Sequence, residues 1–431
     1  VKKIIVALAV VTCVSAYGQR AVTFDIVGPG DTRIPVAVPP FVVEEGLQQV
    51  GREMRDALAY DLMFTGLFVV LADQQYPPGF RSLPVAADQI DLTPWRSTPA
   101  ESLTHVKVYR DGNKIVAECR MLDVASGQQA VGKVINGPEN AYRQIVHEFA
   151  DQITLAASGV EGSATSRIVF SGRTGQDKEI YIADYDGHNM RQVTRHNNTS
   201  IKPKFSPDNR HIAYVSFKDR GQFLYVLDLE TGTSRPLSKS AGMNSAPAWS
   251  PDGDQLAMAM SRDGNPEIYL INADGSGQQR VTANAAVDTS PTFSPDGSQI
   301  AFVSERAVPP QVFIMNKDGA NVRRISFQGG GAYDPVWSPD GKHVAYVGQP
   351  SGEGFQIFIT DPANPSDYKR LTTAGRVNES PSWSPDSRHV VFTSNRRGKP
   401  ELWTVTIETG EERPVPNIAI PAEGPSWGPR R

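Results

Sequence analysis

From position 167 onward the chain is a succession of short apolar runs separated by polar turns. Residues 212–216, 256–260, 300–304, 344–347 and 390–394 are β-prone and apolar along most of their length. That is the pattern of strands covered on both faces. Each run follows the phrase Pro-x-Trp/Phe-Ser-Pro-Asp-Gly, whose serines are Ser206, Ser250, Ser294, Ser338 and Ser384. The serines lie 44, 44, 44 and 46 residues apart, a period that belongs to propeller blades. Ser-Pro-Asp-Gly is suited position by position to a type I turn, with Pro presetting φ and Gly closing it. Asn209 and Ser387 replace the glycine in two copies.

A second alternating strand follows each run, as at 223–227, 267–271 and 401–405. An Asp-Gly or Thr-Gly turn then leads to a short strand that begins with Arg, as at 235–238 and 280–282. Counting the strand that carries Trp or Phe, each unit has four strands, which is one blade. The count is six. Residues 167–171 match 212–216 but have no Trp phrase before them, whereas 424–429, with Trp427, open a unit within which the chain ends. The two halves are complementary. The C-terminal strand is expected to supply the innermost strand of the first blade, closing the ring and removing an exposed edge.

Before the repeats the period changes. Residues 21–27 alternate as a strand and are followed by Gly28-Pro29-Gly30, a flexible joint. A second strand is expected at 34–38. Leu47, Val50, Met54, Leu58 and Leu62 recur at helical spacing within 45–64. A short strand follows at 68–71. Strands at 103–109 and 114–122 flank Asp111-Gly112, a hairpin signal. A further strand spans 130–135, and a second amphipathic helix 139–157. The expected fold class is therefore α/β plus all-β. A small α/β domain at 19–159, with a mobile segment at 19–30, is joined by a linker at 160–166 to a six-bladed β-propeller at 167–431.

Composition refines this picture. The 431 residues are 39% hydrophobic and 21% charged, ordinary for a soluble protein. A net charge of −4 with no basic run argues against nucleic acid as a partner. Lys2, Lys3, an apolar stretch at 4–14 and Ala16-Tyr17-Gly18 read as a signal peptide over 1–18, with Ser15-Ala16 as the competing cleavage point. The apolar stretch is too short to span a bilayer. Its removal leaves Cys119 as the sole cysteine. An exported chain without disulfides fits a bacterial periplasm. A monomer is expected.

The chemistry-bearing residues mostly reduce to turns. The recurrent Ser and Asp are explained by turn geometry. His211, His343 and His389 each stand five residues after a repeat serine, where Gln255 and Gln299 stand in other copies, and so read as outward polar positions. The remaining histidines have no ligand spacing for a transition metal. No nucleophile elbow or phosphate-cradling loop is present, so the chain does not read as an enzyme. One constellation remains, on the loops that enter the Trp/Phe strands and converge on the propeller axis. They carry Asp288, Asp334, Glu379 and Glu423 beside Thr199, Ser200, Met243, Asn244, Thr289, Tyr333 and Asn378. A ring of carboxylates at a channel mouth raises a negative potential. Two readings stand: solvated loop acids, or a docking surface for a partner with basic or hydrogen-bonding groups. No cofactor is required, although such oxygen ligands would suit calcium.

An exported chain, a small α/β domain and a six-fold Pro-x-Trp-Ser-Pro-Asp-Gly-x-x-Ile/Leu-Ala-Tyr/Phe repeat together resemble the TolB family of the Tol–Pal envelope system. Local runs carry the likeness: Ile34-Pro35-Val36-Ala37-Val38-Pro39-Pro40-Phe41, Asp184-Tyr185-Asp186-Gly187 and Ala246-Pro247-Ala248-Trp249-Ser250-Pro251-Asp252-Gly253. The likeness covers essentially the whole chain after the signal peptide, and residues 74–98 depart from it. It implies a non-enzymatic periplasmic scaffold for outer-membrane integrity and constriction at division. The propeller loops would bind the lipoprotein Pal. Arg20, Ala21, Val22, Thr23, Phe24, Asp25 and Ile26 would bind TolA by adding a strand to its sheet. The residues themselves also allow 21–26 to be an edge strand of the N-terminal sheet. They equally allow the propeller to bind another envelope peptide or a glycan, or to hold an axial lyase or glycosidase site with convergent acid–base groups.

Overall fold

A computed structural model of the chain describes residues 33–431. The signal peptide expected at 1–18, the strand expected at 21–27 and the seven residues 20–26 expected to bind TolA lie outside the described residues. The repeats form six four-stranded antiparallel sheets. In the second blade, Ser200–Phe205 is innermost, followed by His211–Ser216, Phe223–Asp228 and Ser234–Ser238. The first blade is closed by the C-terminus: Ala422–Trp427 pairs with Arg167–Arg173, Trp427 standing opposite Ile168.

The turn phrase uses its side chains as the sequence indicates. Ser294 Oγ donates to Asp296 at 2.6 Å and accepts the Gln299 N–H at 2.9 Å. Asp296 in turn accepts the Ser298 N–H at 3.0 Å. These groups are thereby satisfied within the turn. Each aromatic of the phrase wedges against the preceding blade. Trp249 Nε1 donates to the Lys204 carbonyl at 3.2 Å, and Trp383 Nε1 to that of Val336 at 3.0 Å.

Every innermost strand is kinked at the same point. Lys202, Ala246, Ser290, Asp334, Ser380 and Gly424 all have φ between 45° and 59°, and the ladder shifts register there. A proline follows each of them. A bulge on an edge strand is a place that tolerates proline, because its missing N–H faces the channel and not a neighbouring strand.

In the N-terminal domain, β1 (Ile34–Ala37), β2 (Val42–Val43), β3 (Phe68–Val70), β4 (Ser102–Asp111), β5 (Lys114–Asp123) and β6 (Gln129–Pro138) form one mixed sheet in the order β3-β1-β4-β5-β6, with β2 on β4. Helices α1 (Gln48–Phe64) and α2 (Tyr142–Ser158) bury Met54, Leu58, Leu62, Ile145, Val146, Phe149 and Ile153 in one core with Val36 and Val106. Helix α1 begins three residues later than the apolar spacing indicates, because Gly46 turns the chain at φ +86°.

That core runs on into the propeller through Tyr185, Val391 and Trp427. Residues 163–166 are pinned and not free. Asp151 accepts N–H bonds from Ala164 (2.7 Å) and Thr165 (3.0 Å), and Ser166 Oγ accepts from Trp427 Nε1 at 2.7 Å. His389 is a correction to the outward position expected of it. It is buried, stacks on Phe64 with centroids 4.2 Å apart, and donates from Nε2 to the Phe64 carbonyl at 2.7 Å. The repeat does place this position outward, but the N-terminal domain covers it in the sixth blade.

The joint also holds a buried charged cluster. Asp61 accepts from the Tyr185 hydroxyl (2.5 Å) and from His147 Nδ1 (2.7 Å). Asp186 accepts from Arg143 and from His188. Burial opposes the His147 charge, but Asp61 and Asp186 outweigh it and hold the imidazolium above its usual range. Burial likewise opposes ionisation of Asp186, yet His188, His147 and Arg143 keep it well below the carboxylate range. A raised histidine stabilises below its unfolded value and loses that as pH rises through its folded value. A depressed carboxylate stabilises above its unfolded value and loses that on acidification. The joint is therefore strongest between about pH 4 and 6.5. His147→Gln is expected to cost about 3 kcal/mol at pH 5.5 and less at pH 9 in urea unfolding. An equal loss at both pH values would show that the imidazolium charge is not what matters.

Candidate functional site: the free propeller face and its channel

The N-terminal domain rests on the side of the ring that carries the Ser-Pro-Asp turns: Ser163 Oγ accepts the Asp386 N–H, and His389 lies just beyond that turn. The loops that enter the innermost strands are on the other face. A repeated buried device shapes them. Thr282 donates from Oγ1 to Glu267 at 2.6 Å while accepting the Ile268 N–H at 2.9 Å. Glu267 also accepts the Asn284 N–H and an Arg280 guanidinium hydrogen bond, each at 2.8 Å. Thr194 with Glu179, Ser326 with Gln311 and Thr372 with Gln356 repeat the hydroxyl-to-carbonyl or carboxylate bond at 2.5, 2.6 and 2.8 Å. Removing such a hub leaves Arg280 and Thr282 without their acceptor. Glu267→Ala is expected to lower stability by about 3 kcal/mol. Hydrogen exchange should accelerate first in the loop at 283–287.

Four of the residues expected at the docking surface belong to this internal framework. Ser200, Asn244, Asp288 and Asn378 are fully buried. Asn244 Nδ2 donates to the carbonyls of Ser240 (2.8 Å) and Gly242 (3.2 Å). Asp288 accepts from Asn284 at 2.8 Å and from Arg306 at 2.7 Å. Asn378 Nδ2 donates to the Ala374 carbonyl at 2.9 Å, and Ser200 bonds Ser216 at 3.0 Å. These four hold loops and offer no surface, so Asp288 does not belong to the carboxylate ring. They stand at the first position of the strand, whose pleat aims them into the blade; the following residue points the other way.

Thr199, Met243, Thr289, Tyr333, Asp334, Glu379 and Glu423 remain partly exposed. Burial raises the Glu379 carboxyl above the usual range, and Asp334 and Glu423 add to the rise while Lys178 and Lys202 oppose it. Lys178 forms an ion pair with Glu423. The mouth is thus mixed in sign, not purely acidic. Below it, on the far side of the bulges, a channel of about 400 Å³ is lined by Lys202, Lys204, Asp334 and the edges of Trp249, Trp337 and Trp383. Among the described residues, no three His, Cys, Asp or Glu side chains group closely enough to hold a metal ion.

The three lysines and the buried hubs are the residues of the candidate site that sequence reasoning missed. The hubs leave a signal: hydroxyls at Thr194, Ser238, Thr282, Ser326 and Thr372 keep the phase of the repeat. Lys204 also leaves one, being the single charge at a repeat position otherwise held by Ala248, Thr292, Val336, Ser382 and Ser426.

Fold and site define a two-domain β-propeller protein with an α/β module seated on one face and a charged, loop-built channel mouth on the other. A family model described as the TolB beta propeller domain matches residues 156–431, and one described as the TolB amino-terminal domain matches 22–130. The chain belongs to the TolB family. It is 33% identical over 198 residues to a Tol-Pal system protein TolB of Geobacter metallireducens, covering 46% of this chain and 45% of the relative. It is 37% identical over 163 residues to that of Geobacter sulfurreducens, covering 38% and 37%. In these alignments the chain spans about half, or less, of the length of the curated relatives it matches. The crystal structure of TolB from Acinetobacter baumannii superposes with a TM-score of 0.83 at 27% identity, over 92% of this chain and 97% of that one.

Proposed function

We propose that the protein is a non-enzymatic periplasmic scaffold of the Tol–Pal system that binds Pal through the free propeller face and TolA through residues 20–26. No helix among the described residues is long and apolar enough to cross a membrane. The observation that carries the reading is the division of the ring into two unlike faces in a chain of the TolB family. One face is covered by the N-terminal domain at the first and sixth blades. The other presents Thr199, Met243, Thr289, Tyr333, Asp334, Glu379 and Glu423 on loops held rigid by buried hubs. Pre-organised loops lower the ordering cost of association, and the half-buried Tyr333, edge-on to Phe355 at 6.0 Å, is an aromatic anchor beside the charges.

Bridging the two partners would link the outer membrane to the inner membrane, which suits a role in envelope integrity and constriction. Deleting residues 19–25 is expected to abolish capture of TolA in a pull-down while leaving the Pal complex intact. Retention of TolA by the deleted chain would refute the assignment of the N-terminal segment.

A further inference from the structure

Lys204 stands out in the channel. It lines the cavity, is half-buried, and makes no hydrogen bond or ion pair among the described residues. Burial depresses its ammonium below the usual lysine range, Asp334 pulls it back up, and Lys202 adds to the depression. Asp334 lines the same cavity, held at φ +45°, with one carboxylate oxygen accepting from Ser290 Oγ at 3.2 Å. Its other oxygen accepts no hydrogen bond among the described residues. The surrounding wall is made of prolines, the tryptophans Trp249, Trp337, Trp383 and Trp427, and hydroxyl residues such as Ser290 and Thr292, so Lys202, Lys204 and Asp334 are its charged groups. The cavity of about 400 Å³, within the size range of small-molecule sites, therefore sets the ammonium groups of Lys204 and Lys202 against the single carboxylate of Asp334.

We propose that this channel is a binding site for a small zwitterion, a free amino acid or dipeptide, whose carboxylate is held by Lys204 and whose ammonium is held by Asp334. The balance of charge selects this class. A simple anion drawn to Lys204 and Lys202 is opposed by Asp334, and a simple cation drawn to Asp334 is opposed by both lysines. Only a ligand with both charges meets each pole with its opposite, and complementarity of this kind fixes orientation as well as affinity. Small apolar side chains suit the proline and indole walls. The site lies inside the channel and stands independently of the docking of Pal and TolA, which is measured separately.

Titration calorimetry of the chain from residue 19 with alanyl-alanine tests this. Saturable binding is expected, and N-acetyl-alanyl-alanine and alanyl-alaninamide, which each lack one charge, should bind at least about tenfold more weakly. Lys204→Met should weaken alanyl-alanine at least about tenfold and erase its advantage over the amide. Asp334→Asn should do the same with respect to the acetylated form, asparagine being tolerant of the positive φ. The proposal is overturned by absence of binding up to about 10 mM, by equal binding of either blocked peptide, or by unchanged binding in both variants. The blocked peptides need no substitution, so the outcome does not depend on either variant folding.

Discussion

Truncation after Pro421 is expected to leave a chain that neither folds cooperatively nor stays soluble. The lost strand, Ala422–Trp427, is the innermost strand of the first blade, and its removal opens the Arg167–Arg173 edge to other chains. It also removes Trp427, which reaches three parts of the molecule at once. Its ring lies against Phe64 and His389 of the domain joint, its Nε1 donates to Ser166, and its backbone N–H donates to Ser382 of the sixth blade at 2.9 Å. Trp427→Ala alone should cost about 3–5 kcal/mol, a large share of the roughly 5–15 kcal/mol that holds a domain together. Urea unfolding followed by circular dichroism measures both variants. A truncated chain that melts like the parent would mean the ring does not need its closing strand.

Charge reversal at the channel mouth should have the next largest effect. Glu379→Lys combined with Glu423→Lys is expected to weaken Pal binding by about a hundredfold or more, since like charges brought together at an interface cost several kcal/mol. Glu423 already faces Lys178, and the double change leaves Asp334 as the one carboxylate among the mouth residues facing Lys178, Lys202 and the two new lysines. Asp252→Lys, in an exposed turn on the other face, should leave the affinity unchanged. Surface binding kinetics with purified Pal decides between the faces. A loss confined to Asp252→Lys would place Pal on the opposite side of the ring.

Much of this molecule was legible along the chain because its order is local and periodic. Ser-Pro-Asp-Gly specifies a turn through its own side chains, and the apolar run after it specifies a strand. Five copies at spacings of 44 to 46, with the orphan phrase at Trp427, specify a ring of six and how it shuts. The hairpin at Asp111-Gly112 and both helices of the first domain were legible for the same reason. The α1 start and the short 3₁₀ turn Glu139–Ala141 ahead of α2 were placed less well, since apolar spacing says little about where a helix is capped.

The candidate site was legible only as a set of loops. Which residue of an adjacent pair faces the axis depends on pleat and bulge, and one step of the pleat sends Asn244, Asp288 and Asn378 into the blade while Thr289 and Glu379 turn outward. Lys178, Lys202 and Lys204 join Asp334, Glu379 and Glu423 only because the ring brings blades distant in sequence to one axis. His389 is buried solely because a separate domain covers the sixth blade. The sequence by itself determined the repeating unit, which rests on neighbours within a few dozen residues, and its number and closure, because the phrase at Trp427 and the strand at 167–171 are each the half the other lacks. The tertiary structure alone decided which charges meet at the channel and which are sealed in the joint, because those pairings exist only once the ring has closed and the first domain has settled on it.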